Sequence, residues 1–77
     1  FGKNKFKTLI PHLYNNIGLV YEQIEDFEDA KDNFKNAYDL FIENDDEANS
    51  VYPLYNIALI ESKIGNDQDA INSYFNL

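Results

Sequence analysis

The polar side chains that could support catalysis or metal binding in this chain include a single histidine, His12, and no cysteine. His12 has no second strong ligand at a spacing that transition-metal sites use. A Ser-His-Asp arrangement would need a serine directed at His12, but every serine falls on a predicted helix without a nucleophile elbow. These serines are Ser50, Ser62 and Ser73. We therefore expect no enzyme activity, no metal site and no cofactor.

Two runs of acidic residues, 25–29 and 43–47, contain the oxygen ligands that calcium prefers. A calcium loop also needs ligands at alternate positions and a glycine at its sharp turn, and neither run has that glycine. Helix capping and solvation account for such runs. The acidic residues give the 77-residue chain a net charge of -8, which would repel a phosphate backbone. Nucleic-acid binding by this segment is therefore not expected.

The composition predicts one small folded domain. Hydrophobic residues make up 44% of the chain and aromatic residues 16%, which is enough apolar material for a packed interior. The longest apolar runs, such as 57–60, are far shorter than the roughly 20 residues of a membrane span, so no membrane contact is expected. Phe1 opens the chain in place of Met and no leader is visible, which we interpret as an excised fragment whose targeting signals, if any, are missing. The compartment stays open, with the cytoplasm preferred.

The sequence repeats itself with a period of 40 residues. Segment 14–19 aligns with segment 54–59, and in this register small residues recur on small ones and large apolar residues on large ones. Within each copy two small residues are twelve positions apart, which indicates a helix crossing where two backbones approach closely. The packing residues predicted by this alignment are Gly18, Ala30, Phe34, Ala58, Ala70 and Tyr74.

Apolar residues follow the spacing of amphipathic helices in four segments, and no strand-like alternation occurs. We predict antiparallel helices near residues 4–24, 27–43, 46–64 and 67–76. The first helix is expected to turn its apolar stripe toward the core. This stripe consists of Phe6, Ile10, Leu13, Ile17, Val20, Tyr21 and Ile24.

Turn residues mark the ends of these helices. Asp26 can cap the second helix, with Asp29 at the third position in a carboxylate version of the capping box. Gly65 suits a left-handed residue at a helix C-terminus. Pro11 and Pro53 fall near the predicted helix starts, and we expect a kink or a helix start at each.

These features resemble the tetratricopeptide repeat family, whose motif places large, small and aromatic residues at fixed offsets. The second copy is degenerate, with Glu61 where Tyr is usual and Leu77 where Ala is usual. The resemblance implies an all-α helical-repeat (α-solenoid) fragment of two antiparallel hairpins, with repeat 1 at about 11–46 and a truncated repeat 2 at about 51–77. The first copy matches all seven motif positions with Tyr14, Ile17, Gly18, Tyr21, Ala30, Phe34 and Ala37.

In that family the first helices of successive repeats line a concave surface that binds peptides. The resemblance places Asn16 and Asn56 at equivalent points of this surface. An asparagine amide offers a donor and an acceptor side by side, which matches a peptide unit. The family members that clamp a terminal carboxylate carry Lys and Asn where this chain has Asn15 and Leu19, so no such clamp is expected. Other residues expected to share the surface are His12, Asn15, Leu19, Gln23, Tyr55, Leu59 and Ser62.

We predict a protein or peptide interaction module within a larger regulatory or scaffold protein, with a neutral or basic polypeptide as its partner. Two alternatives remain. One is a signal-peptide-sensing domain, similar to those of bacterial peptide-pheromone receptors and sensor kinases. The other is a structural spacer or dimerisation surface. Self-association through uncapped repeat ends is also expected, because solenoids need polar caps for solubility.

Overall fold

A computed structural model describes the backbone of residues 2–65 and the side chains of residues 5–65. This part of the chain forms three helices: α1 (Gly2–Gln23), α2 (Phe27–Glu43) and α3 (Glu47–Lys63). No strand occurs between residues 2 and 65, which confirms the predicted all-α class. The three helices begin and end within two residues of their predicted bounds. The predicted fourth helix, 67–76, lies outside the described residues, as do Ala70 and Tyr74.

Each turn between helices closes with the same pair of backbone hydrogen bonds. In the first turn the N–H of Asp26 donates to the carbonyl of Tyr21 at 2.9 Å, and the N–H of Glu25 donates to Glu22 at 3.0 Å. This pattern is the Schellman motif, which requires a left-handed residue just after the helix. Glu25 fills that position with a φ of 63°, and Asp45 does so in the second turn with a φ of 58°. Both turns reverse the chain and set consecutive helices antiparallel.

Aspartates cap the helices that follow these turns. Asp26 Oδ1 accepts from the N–H of Asp29 at 3.4 Å, and Asp46 Oδ1 accepts from the N–H of Asn49 at 3.3 Å. The side-chain amide of Asn49 also donates to Asp46 Oδ2 at 2.8 Å. The reciprocal half of the predicted capping box does not form, because the Asp26 N–H donates to Tyr21 instead of to the Asp29 carboxylate.

The core forms where α2 packs against both other helices. α2 contributes its fully buried side chains, and α3 meets them with Ile57 and Ile60. Tyr21 and Phe27 are partly buried against the same cluster. Ala58, on α3, is also buried. The fully buried side chains of α2 are Ala30, Phe34, Ala37 and Phe41.

Gly18 lies where α1 crosses α2. A Cβ atom built on this residue would lie 2.6 Å from Cε1 of Phe34 and 2.7 Å from its Cδ1. Contacts this short do not occur in packed interiors, so the absent side chain is what lets the Phe34 ring approach the backbone of α1. The repeat pattern predicted Ala30 opposite Gly18, but the nearest atoms belong to the ring of Phe34.

Both prolines lie inside continuous helices. Of the two outcomes expected for them, a kink or a helix start, the helix start is therefore wrong. Pro11 has no N–H to donate to the carbonyl of Lys7 one turn earlier. The side-chain amide of Asn44, at the end of α2, donates to that carbonyl at 2.9 Å. A neighbouring helix thus supplies the hydrogen bond that proline removes.

Replacing Asn44 by alanine is expected to lower the free energy of unfolding by about 1 kcal/mol, because the Lys7 carbonyl then loses its donor. Urea unfolding followed by circular dichroism measures this change. Asn36→Ala is the control, since Asn36 is an exposed asparagine of α2, the helix that Asn44 caps. An equal effect of the two substitutions would show that the Asn44 bond contributes nothing beyond a surface amide.

The apolar stripe predicted for the core side of α1 is mostly exposed. Six of its seven side chains, all except Tyr21, have exposed fractions between 42% and 68%. α1 instead buries Pro11 and Gly18 against the rest of the fold. The prediction that the whole stripe packs inside the hairpin is therefore wrong, because α2 covers a different side of this helix.

Candidate functional site

Two polar pairs connect α1 directly to α3. The side-chain amide of Asn56 donates to Asn15 Oδ1 at 3.1 Å, and Lys63 forms an ion pair with Glu22. The second pair lies seven residues, or about two turns, beyond the first on both helices, so α1 and α3 run parallel. The two helices therefore lie side by side and share a surface.

The residues predicted for peptide binding are all solvent-accessible on α1 and α3. Asn16 is exposed, whereas Asn15 and Asn56 are half-buried where the two helices meet. Tyr55 is 50% exposed, and Tyr52, one turn earlier, is also exposed. We call this set the α1/α3 face. Its members are His12, Asn15, Asn16, Leu19, Gln23, Tyr55, Asn56, Leu59 and Ser62.

The hydrogen bond to Asn15 holds the side chain of Asn56, which is one of the two amides predicted to bind a peptide. One of the two N–H groups of Asn56 is donated within the fold, and the bond fixes the orientation of its amide plane. Asn16, the other predicted peptide-binding amide, lies one residue beyond Asn15 and is exposed. The two predicted amides therefore differ, one being held in place and the other projecting into solvent.

The charged groups next to the α1/α3 face occur as pairs. Glu22 and Lys63 neutralise each other at one end. Glu61 stands where the first repeat has Tyr21, and it is buried and pairs with Lys31 at 2.8 Å. None of the residues of the α1/α3 face carries a carboxylate, and most of the other carboxylates between residues 5 and 65 lie on α2 and in the turns.

The family assignment follows from the match of the sequence to a known pattern. The model of the tetratricopeptide repeat family matches residues 9–74, which is most of the chain. The chain belongs to the tetratricopeptide repeat family. No curated protein and no solved structure matches it. In this tetratricopeptide repeat protein α1 and α2 form an antiparallel hairpin, and α3 follows them in the described part of the chain. Membership makes it a module for protein interaction in the general sense.

His12 is the residue of the α1/α3 face whose surroundings the sequence did not predict. Its ring stands edge-on against the ring of Phe41, with centroids 5.0 Å apart and an angle of 79° between the planes. This T-shaped contact is favourable for aromatic rings and lies against Phe41, one of the two buried phenylalanines of α2. In this tetratricopeptide repeat protein His12 is therefore exposed on the α1/α3 face and also contacts the buried ring of Phe41.

The aspartates in the acidic turns of the repeat protein cap the helices that follow them. A side-chain hydrogen bond with Asp26, together with the charge of that carboxylate, raises the pKa of Asp29 above its ordinary value. Among the described residues no three His, Cys, Asp or Glu side chains lie close enough to hold a metal ion. Within the same residues no helix is long and apolar enough to cross a membrane.

Proposed function

We propose that the α1/α3 face binds an extended polypeptide segment of a partner protein, within a larger regulatory or scaffold protein. The observation that carries this proposal is the joined amide pair Asn15 and Asn56, with exposed Tyr55 and Asn16 beside it. An amide held in a fixed orientation loses little conformational entropy when it binds a peptide unit. Exposed aromatic rings next to it supply apolar area for the side chains of the ligand.

The distribution of charge favours a neutral or basic ligand. A neutral segment suits the α1/α3 face because Glu22 and Lys63 already compensate each other. The acidic residues of α2 and the turns surround that face with a negative potential, which attracts basic segments and repels acidic ones in a salt-dependent way. A basic residue at the edge of the bound segment would therefore raise the association rate more than the affinity.

The test begins with peptides selected from a random displayed library and titrated by calorimetry. Asn16→Ala and Asn56→Ala are each expected to cost about 1–3 kcal/mol of binding free energy, because each leaves a peptide group without its partner. Asn36→Ala, on α2 outside the α1/α3 face, is the control and should keep the affinity of the unaltered protein. Lys-substituted and Glu-substituted versions of the best peptide test the predicted preference for charge.

Two outcomes would contradict the proposal. If both asparagine variants fold, as shown by circular dichroism, and bind as tightly as the unaltered chain, the binding site lies elsewhere. If the Glu-substituted peptide binds faster than the Lys-substituted one at low salt, the predicted electrostatic steering is absent. Asn56→Ala also removes a bond within the fold, so its thermal melt is recorded beside each titration.

A further inference from the structure

An exposed apolar stripe runs along α1, on a different side from the α1/α3 face. Its residues are separated alternately by four and three positions, which is the heptad spacing of helices that pack against another helix. No other part of the described chain covers them, and their exposed fractions range from 42% to 68%. We call this stripe the α1 seam. It consists of Phe6, Ile10, Leu13, Ile17, Val20 and Ile24.

The α1 seam has the size of a protein interface. Together with Leu9 on its border, its side chains expose on the order of 700 Å² of surface, close to the roughly 800 Å² that each partner contributes to a standard interface. A soluble monomer seldom leaves a continuous apolar patch of that size uncovered. A shallow depression of about 260 Å³ lies at its centre, where it can receive a facing side chain. It is lined by Ile10, Leu13, Tyr14 and Ile17.

The charges along α1 favour one orientation for a second copy of this helix packed against it. Lys5 and Lys7 lie near the start of the helix, and α1 has no carboxylate before Glu22, which already pairs with Lys63, so the acidic charge at this end comes from the turn. Glu25 and Asp26 follow in the turn after α1. A second α1 packed parallel would place lysines beside lysines and carboxylates beside carboxylates. An antiparallel one places the basic end of each helix beside the acidic end of the other, which is electrostatically favourable.

We propose that the α1 seam docks a second copy of this chain, with the two α1 helices antiparallel. A twofold axis near residue 15 sets Leu13 opposite Ile17 of the other copy, and Ile10 opposite its Val20. Such an interface is self-complementary and closes at two copies, so it does not generate fibres. The α1/α3 face lies on another side of the helix and remains open in the dimer, so this proposal does not depend on peptide binding.

The first experiment measures the oligomeric state by sedimentation equilibrium over a wide range of concentrations. The unaltered chain is expected to form a dimer. Leu13→Glu and Ile17→Glu should each raise the dissociation constant on the order of a hundredfold, because each puts charges into the centre of an apolar interface. Leu19→Glu is the matched control, since Leu19 is exposed on the same helix but lies outside the α1 seam. It should leave the dimer intact.

The second experiment tests the orientation, using the absence of cysteine from the chain. In the antiparallel arrangement two copies of residue 10 lie about 15 Å apart along the axis, at 1.5 Å per residue, whereas residue 10 faces residue 20. A short bismaleimide should therefore link Ile10→Cys chains to Val20→Cys chains in a mixture, and link neither variant to itself. Parallel helices would give the opposite pattern.

Three results would overturn the proposal. One is a chain that stays monomeric at high concentration and melts cooperatively. Another is a dimer that survives Leu13→Glu and Ile17→Glu, which would locate the contact away from the α1 seam. The third is self-crosslinking of Ile10→Cys or Val20→Cys alone, which would contradict the antiparallel orientation.

Discussion

Replacing Phe34 by alanine is expected to lower the free energy of unfolding by about 3–5 kcal/mol, the range for removing a buried phenylalanine side chain. Phe34 is fully buried and shares the core cluster with Ala30, Ile57 and Ile60. Its ring also fills the space that Gly18 leaves open on α1. The substitution would therefore open a cavity between all three helices. Urea unfolding followed by circular dichroism, at a concentration where the protein is monomeric, measures the loss.

Tyr52→Ala is the matched control, because it removes an aromatic ring that is 59% exposed on α3. It should change the stability by no more than about 0.5 kcal/mol. A second comparison uses Gly18→Ala, which should destabilise the unaltered chain and do so less in a Phe34→Leu background. Such coupling is expected for residues in direct contact. Equal losses from Phe34→Ala and Tyr52→Ala would contradict the placement of Phe34 at the centre of the core.

The helices were predictable because their signals are local. Apolar spacing defined α2 to the residue, and Asp26 has the side chain and position of an N-cap. Gly65 was recognised as a left-handed residue because glycine adopts a positive φ without strain. Glu25 and Asp45 adopt the same conformation forty and twenty residues earlier, and their types did not show it. The regular spacing of the three turns is the sequence signal that could have identified them.

The environment of α1 was not predictable, because periodicity shows which residues share a face and not what covers that face. Phe6 and Ile24 keep the helical spacing of a core stripe but are exposed. The hydrogen bond from Asn44 to the Lys7 carbonyl joins residues 37 positions apart, and no local pattern indicates it. Proline in a helix leaves a carbonyl that needs a donor, so Pro11 could have prompted a search for one.

The residues that contact each other in the candidate site are not the residues that the repeat makes equivalent. Equivalent residues of the two repeats are 40 positions apart, whereas Asn15 bonds Asn56 across 41 positions. Helices related by translation touch through different sides, so equivalent side chains cannot meet each other. This is why the sequence placed Asn16 and Asn56 on one surface and missed the bond from Asn56 to Asn15.

Removing the lysine of the buried ion pair is expected to cost more stability than removing the whole pair. Glu61 is 8% exposed at the position where the first repeat has Tyr21, and Lys31 of α2 lies 2.8 Å from its carboxylate. Lys31→Met leaves that carboxylate without its cation, so we expect a loss of about 2–4 kcal/mol in the free energy of unfolding. The double variant Lys31→Met with Glu61→Leu should recover most of this loss, because it buries no charge.

The ion pair between Lys63 and Glu22 is the internal control for this cycle. The two carboxylates are similarly covered, with side-chain exposures of 11% for Glu22 and 10% for Glu61, but Lys63 is 51% exposed against 22% for Lys31, so removing Lys63 opens Glu22 to water. Lys63→Met should therefore cost no more than about 1 kcal/mol in the same urea titrations. If Lys31→Met costs as little as Lys63→Met, water reaches the Glu61 carboxylate and the pair is not desolvated. If the double variant is as unstable as Lys31→Met alone, the loss comes from packing of the lysine stem, and the charge of Glu61 plays no part in it.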